Sequence, residues 1–349
     1  MTDITALIDW LDRTGDLSDE ALKILLTFED PEAEALLYMR ADAKRRACYG
    51  DAVYLRGLIE ISNYCKNNCY YCGIRAGNSH AQRYRLDRDQ ILSCCREGYA
   101  LGYRTFVLQG GEDPYFTDER LTEIISAIHS AYPDCAITLS IGERSRESYQ
   151  ALYDAGARRY LLRHETANAA HYGQLHPAAM SHANRRRCLY DLKEIGYQVG
   201  AGIMVGAPYQ TLDHIIEDIR FMQDLEPDMI GIGPFIHHHE TPFADQPDGD
   251  LYLTIRLLAV LRLLFPYVLL PATTALGTIH PQGREMGLKA GANVIMPNLS
   301  PADTRRLYEL YENKAGIGEA AAQSKAALDR QVAAAGYRTE VAIGNVAPH

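Results

Sequence analysis

The sequence has no apolar run long enough to cross a bilayer. The stretch Leu257 to Leu261 is bracketed by Arg256 and Arg262, whereas a spanning helix needs about 20 apolar residues. It has no excess of positive charge: 35 Lys and Arg stand against 45 Asp and Glu, a formal charge of −10 with histidine neutral. That balance lacks the electrostatic footprint of a nucleic-acid binder. The start, Met1-Thr2-Asp3-Ile4, has no signal-peptide pattern. These absences lead to the expectation of a soluble cytoplasmic protein with no membrane or nucleic-acid partner. No second CxxC pair occurs, and no Gly-x-Gly-x-x-Gly follows the first strand candidate. The first absence weighs against a structural zinc site, which takes four ligands; the second weighs against a dinucleotide-binding open sheet.

What is present is a cysteine triplet, Cys65-Lys66-Asn67-Asn68-Cys69-Tyr70-Tyr71-Cys72. A 4Fe–4S cluster normally takes one thiolate per iron. Three thiolates leave one iron open to a chelating small molecule. His80 follows shortly after but lacks a partner for a zinc set, and a disulfide needs an oxidising compartment that nothing here supports. CxxxCxxC with an aromatic residue before its last cysteine resembles the signature of the radical S-adenosylmethionine (SAM) enzymes. In those enzymes the open iron grips the amino and carboxylate groups of SAM, and an electron from the cluster releases a 5′-deoxyadenosyl radical. Cys48, Cys94, Cys95, Cys135 and Cys188 share no ligand spacing and read as small buried or half-buried residues.

Length and pattern define the architecture. Strands are expected at Leu58–Ser62, Thr105–Gln109, Ala136–Ser140, Tyr160–Leu162, Val199–Val205, Met229–Ile232, Val268–Leu270 and Val294–Met296. Helical patterns follow at about 88–101, 118–131, 145–155, 181–195, 211–225, 251–264, 283–289 and 302–312. Apolar strands alternating with amphipathic helices imply a parallel sheet covered by helices. Eight such units imply an α/β fold of the (β/α)8 TIM-barrel type. The expected division is an N-terminal helical extension (1–50), the barrel (51–312) and a C-terminal helix and tail (313–349).

Active sites of this fold gather at the carboxyl ends of the strands, and the distinctive residues fall there. Gly110-Gly111-Glu112 makes a close-approach turn ending in an acid. Ser140 and Glu165 end consecutive strands, where a carboxylate can take ribose hydroxyls; a salt bridge from Glu165 to Arg163 is the structural alternative. Arg185, at the start of the next helix, can pair with a carboxylate. Arg56, Gln109, Thr138, Arg163, Thr273, Thr274, Met296 and Tyr308 lie on or beside strand ends and are expected to face a polar or anionic substrate. Internal pairing of the arginines with Glu60, Glu112 or Glu165 is the alternative. His237-His238-His239-Glu240, between Pro234 and Pro242, looks like a metal tract, but adjacent histidines diverge in an extended chain. It is read as a loop.

Longer phrases carry a closer resemblance. Arg56-Gly57-Leu58-Ile59-Glu60, Leu108-Gln109-Gly110-Gly111-Glu112-Asp113, Arg163-His164-Glu165-Thr166, Leu175-His176-Pro177, Pro271-Ala272-Thr273-Thr274 and Met296-Pro297-Asn298 resemble the radical SAM family of FeFe-hydrogenase maturases, kin to biotin synthase and methylornithine synthase. The resemblance runs from about residue 50 to 312. It implies a 4Fe–4S cluster on Cys65, Cys69 and Cys72, and SAM held by Tyr71, Gly110, Gly111, Glu112, Ser140, Glu165, Arg185 and Met204. It also implies an iron–cysteine carbonyl/cyanide substrate facing the second set of residues, an electron donor, and partner maturation proteins. An amino-acid substrate, as in methylornithine synthase, is the alternative. Some members carry extra cysteines near the carboxyl end for a second cluster. No cysteine follows Cys188 here, so no such cluster is expected.

Overall fold

A computed structural model describes residues 3–315 and 321–347. Its centre is a closed ring of parallel strands. Gly57–Ser62, Thr105–Gly110, Ala136–Ser140, Arg159–Leu161, Gln198–Ala201 and Met229–Ile230 pair in that order. Single bridges carry the ring onward from Met229 to Leu269 and from Pro271 to Val294, and Leu58 with Asn298 closes it. Phe106, Val107 and Leu108 show why the run is continuous: strands buried on both faces have no polar side. The intervening helices begin at side-chain caps, among them Asp87 with Gln90 in a capping box, Thr117, Ser145, Ser181 and Asp250. Among the described residues no helix is long and apolar enough to cross a membrane.

Three expected elements take another form. Val199–Val205 is two strands, Gln198–Ala201 and Met204–Val205, with the break at Gly202, whose φ is 151°; beyond it Ile203 bridges to Glu165 in the same parallel seam. Val268–Leu270 makes only bridges, and its edge is interrupted by Pro271, which has no N–H to give. The 302–312 helix stops after one turn, Ala302–Arg305. Beyond it the carbonyls serve other segments: Leu307 O accepts from Asn63 Nδ2 at 2.7 Å and Leu310 O from Gly73 N at 2.9 Å.

Helices Ile4–Thr14, Asp19–Thr27 and Pro31–Tyr49 pack beside Leu251–Leu264. Arg45 there is fully buried and donates to three backbone carbonyls, those of Gly50, Ala52 and Ala292. At the amino ends of the strands, Ala52–Leu55 pairs with Val294–Ile295 on one side and Arg338–Glu340 on the other. The chain then runs across the barrel floor. Thr105 Oγ1 donates to Ile343 O at 2.8 Å, and Arg159 donates to Gly344 O at 3.1 Å and to Asn345 Oδ1 at 2.6 Å. Ala347 N reaches Tyr49 Oη at 3.1 Å. The carboxyl-terminal tail thus stoppers the lower mouth.

Candidate active site

The upper mouth opens into a cavity of about 360 Å³, within the range of small-molecule sites. The cysteine loop forms one wall. It leaves the ring after Ser62 and is held by backbone contacts and by the side chains of Arg83 and Asn68. Lys66 N donates to Glu112 O at 2.9 Å, Tyr70 N to Leu175 O at 3.0 Å and Ala76 N to Asn67 O at 2.8 Å. Arg83 staples its far side through the carbonyls of Ile74, Arg75 and Asn78. Asn68 Oδ1 accepts from Arg75 Nε at 2.6 Å and Gly77 N at 2.9 Å. Gly111 lies so close that a Cβ there would meet Tyr64 O at 2.2 Å and Cys65 Cβ at 2.7 Å, which fixes the residue as glycine.

Cys65, Cys69 and Cys72 are free, half-buried, and line the cavity together. Burial pushes the Cys72 thiol up to about 12, with the Cys65 thiol adding to it; burial also raises Cys65 and Cys69. Three clustered, unpaired thiols facing an enclosed space fit an iron–sulfur cluster.

The other expected residues divide. Tyr71, Gly110, Gly111, Glu112, Ser140, Glu165, Arg185 and Met204 all line the cavity, as do Gln109, Arg163, Thr273, Thr274, Met296 and Tyr308. Arg56 and Thr138 do not. Both are buried beneath it, where Arg56 Nη1 lies 2.9 Å from Met229 Sδ and Nη2 lies 3.5 Å from Gly344 O in the floor. Arg163 and Glu165 pair in bidentate fashion, Nε to Oε1 at 3.1 Å and Nη2 to Oε2 at 3.0 Å. Glu165 is held at φ 65°, a conformation that costs about 1–3 kcal/mol and gathers at functional sites. Its N–H donates to Gly202 O at 3.1 Å. Thr273 Oγ1 is buried without a partner; it caps no helix N–H and faces the cavity, so a polar ligand there would satisfy it.

Glu143, which is not among the expected residues, braces the site from outside the cavity lining. Its carboxylate accepts from Arg185 Nε at 2.6 Å, and its N–H donates to Glu112 Oε1 at 2.9 Å. It therefore ties two cavity residues together. The available signal was its place three residues beyond Ser140. Arg83 had no signal, since its partners are loop carbonyls, and Asn68 had none because its partners, Arg75 Nε and Gly77 N, are set by the loop's own fold.

Tyr71 Oη contacts His176 Nε2 at 3.1 Å, while His176 Nδ1 contacts Tyr172 O at 3.0 Å. The ring is thus neutral, with its proton on the carbonyl side. Burial holds His176 down to about 4 from its ordinary 6.5. The unfolded chain binds this proton first, so stability falls as pH drops from about 6.5 to about 4. His176→Gln is expected to flatten that slope by roughly one proton's worth in urea unfolding measured across the window. An unchanged slope would remove His176 as its source.

A barrel whose first strand opens into this triplet defines a class. The radical SAM superfamily profile matches residues 59–222, and the chain belongs to that superfamily. Its members use a 4Fe–4S cluster and SAM. The chain is 46% identical over 300 residues, 86% of its own length and 85% of the relative's, to the [FeFe] hydrogenase maturase subunit HydE of Thermotoga maritima. Within the superfamily this places it in the HydE family. It is 30% identical to 3-methylornithine synthase of Methanosarcina acetivorans, covering 84% and 85% of the two chains. The crystal structure of methylornithine synthase PylB superposes with a TM-score of 0.85 at 28% identity, covering 96% of this chain and 97% of that one.

Proposed function

We propose that the chain matures FeFe-hydrogenase, acting on an iron–cysteine complex that carries carbonyl and cyanide ligands. Cys65, Cys69 and Cys72 would hold the 4Fe–4S cluster. When bound, the cluster and SAM supply the reducing electron and the 5′-deoxyadenosyl radical. The chain's own residues bind and orient. Gly110 and Gly111 let backbone approach the methionine end of SAM, beside the Glu112 carboxylate. Ser140 and Glu165 would take the ribose, Tyr71 and Met204 flank the adenosyl group, and Arg185, braced by Glu143, would pair with the SAM carboxylate.

Deeper in the cavity, Arg163, Thr273, Thr274, Gln109, Tyr308 and Met296 would hold the substrate. Arg56 and Thr138 would act from beneath, Arg56 through its positive charge. The observation that carries this reading is that a single cavity joins the cysteine triplet to the unpartnered Thr273 hydroxyl and the Arg163 guanidinium. An electron donor, further maturation proteins and a cytoplasmic setting belong to the same proposal. A second reading, radical rearrangement of an amino acid, is favoured by the likeness to methylornithine synthase; Arg163 could then grip a carboxylate.

The test is anaerobic. The reconstituted, reduced enzyme with SAM is offered the iron–cysteine carbonyl cyanide complex and, separately, lysine, and adenosyl products are read by mass spectrometry. Turnover of the complex alone supports maturation, and turnover of lysine alone overturns it. In the same assay Arg163→Ala is expected to raise the KM for the complex about 10–100-fold, the value of one or two charge-assisted hydrogen bonds. SAM affinity is expected to change little. A selective loss of SAM affinity would place Arg163 in the other half of the site.

A further inference from the structure

The histidine tract does not behave as an extended chain. His237 turns away to Asp248, with Nδ1 2.8 Å from Oδ1. His238 and His239 instead stack, ring centroids 4.6 Å apart and planes at 14°. His239 N donates to Glu312 Oε1 at 3.0 Å, and its ring Nδ1 contacts the same carboxylate. One ligand atom from each of His238, His239 and Glu312 lies within 4.8 Å of the other two. Glu240 lies on the other side of the His239 ring, its Oε1 3.8 Å from Nε2 and 2.7 Å from His80 Nδ1.

The donor set has the chemistry of a cation site. Two imidazoles and one carboxylate, a ligand set that leaves one position of a tetrahedral ion to solvent, suit zinc and its neighbours, with metal–ligand distances of about 2.0–2.2 Å. Tetrahedral geometry at those distances places ligand atoms about 3.3 Å apart. The observed spread closes to that by rotation of His239 and Glu312, which lie at the surface. His238 Nδ1 accepts from Glu240 N at 3.1 Å, so the lone pair of its ring is on Nδ1, and an ion would take it in place of that N–H.

We propose that His238, His239 and Glu312 bind one divalent cation of the zinc class, which clasps the 237–241 loop to the 309–312 segment at the rim of the barrel. The clasp bears on the cysteine loop. Gly73, next to Cys72, donates to Leu310 O at 2.9 Å, and a Cβ at Gly73 would stand 2.4 Å from the His238 ring. The same two segments that would share the ion thus press on the backbone that carries the third cysteine.

The experiment uses the full-length, cluster-loaded protein, so that the triplet cannot take the added ion. After dialysis against Zn2+, bound zinc is counted by elemental analysis, its affinity is measured against a competing chelator, and its ligand shell is read by zinc-edge X-ray absorption. The expected result is one zinc per chain with nitrogen and oxygen ligands only. Outer partners of a metal site are worth 10–100-fold in affinity, so losing a direct ligand in His239→Ala or Glu312→Gln should weaken binding by at least about 100-fold. Both positions are surface-accessible, so the variants should fold; His129→Ala, on a distant helix, should bind as the parent does. No zinc, sulfur in its ligand shell, or equal affinity in parent and both variants would overturn the proposal.

Discussion

Cys69→Ala is expected to reduce SAM cleavage to background while leaving the fold in place. The cysteine loop is held by N–H to carbonyl contacts and by Arg83, none of which uses the Cys69 thiol. The Cys69 sulfur packs 3.8 Å from Met180 Sδ, and trimming it removes little buried surface. What is lost is a metal ligand, and with two thiolates left the cluster has no stable seat. Iron content, the electron paramagnetic resonance of the reduced protein and 5′-deoxyadenosine yield should fall together, while far-ultraviolet circular dichroism stays the same. Undiminished cleavage in this variant would sink the cluster assignment.

The second large effect is on stability. Glu60 and Lys314 are both buried and form an ion pair; Lys314 also donates to Tyr308 O at 2.9 Å, and Glu60 Oε2 accepts from Asn298 Nδ2 at 2.8 Å. Burial raises the Glu60 carboxyl above its ordinary range, and Lys314 opposes that rise. Lys314→Ala leaves a buried charge without its partner and should cost about 3–5 kcal/mol, read as a lower denaturant midpoint. The double change Glu60→Gln with Lys314→Met removes both charges and should recover most of the loss. A single variant as stable as the parent would show that water reaches the pair.

The fold was legible where the pattern was local. Helices 118–131 and 251–264 stand at their expected residues because Thr117 and Asp250 cap them and their apolar periodicity is local; 283–289 does so without a side-chain cap. Ala52–Leu55 was not legible, since one partner strand, Arg338–Glu340, lies nearly the whole chain away. The site was legible in its cysteines and strand-end polar residues, whose types are rare in a parallel barrel. The reading of Arg56 shows the limit. An arginine next to an apolar strand implies burial, but sequence cannot tell depth, and the position proved to lie below the cavity beside the tail. The histidine tract is a loop, as its flanking prolines implied, but divergence of adjacent side chains holds for a strand and not for a turn whose Glu240 N–H folds back on His238.

The stoppered floor has a consequence for traffic. With residues 343–347 laid across the lower ends of the strands, loading and unloading share the upper opening. In the proposed placement SAM sits above the substrate, so the well fills from the bottom and empties from the top. Substrate must enter before SAM, and product must wait for the spent adenosyl and methionine fragments to depart. Steady-state kinetics should therefore be ordered, with SAM in excess slowing the entry of substrate.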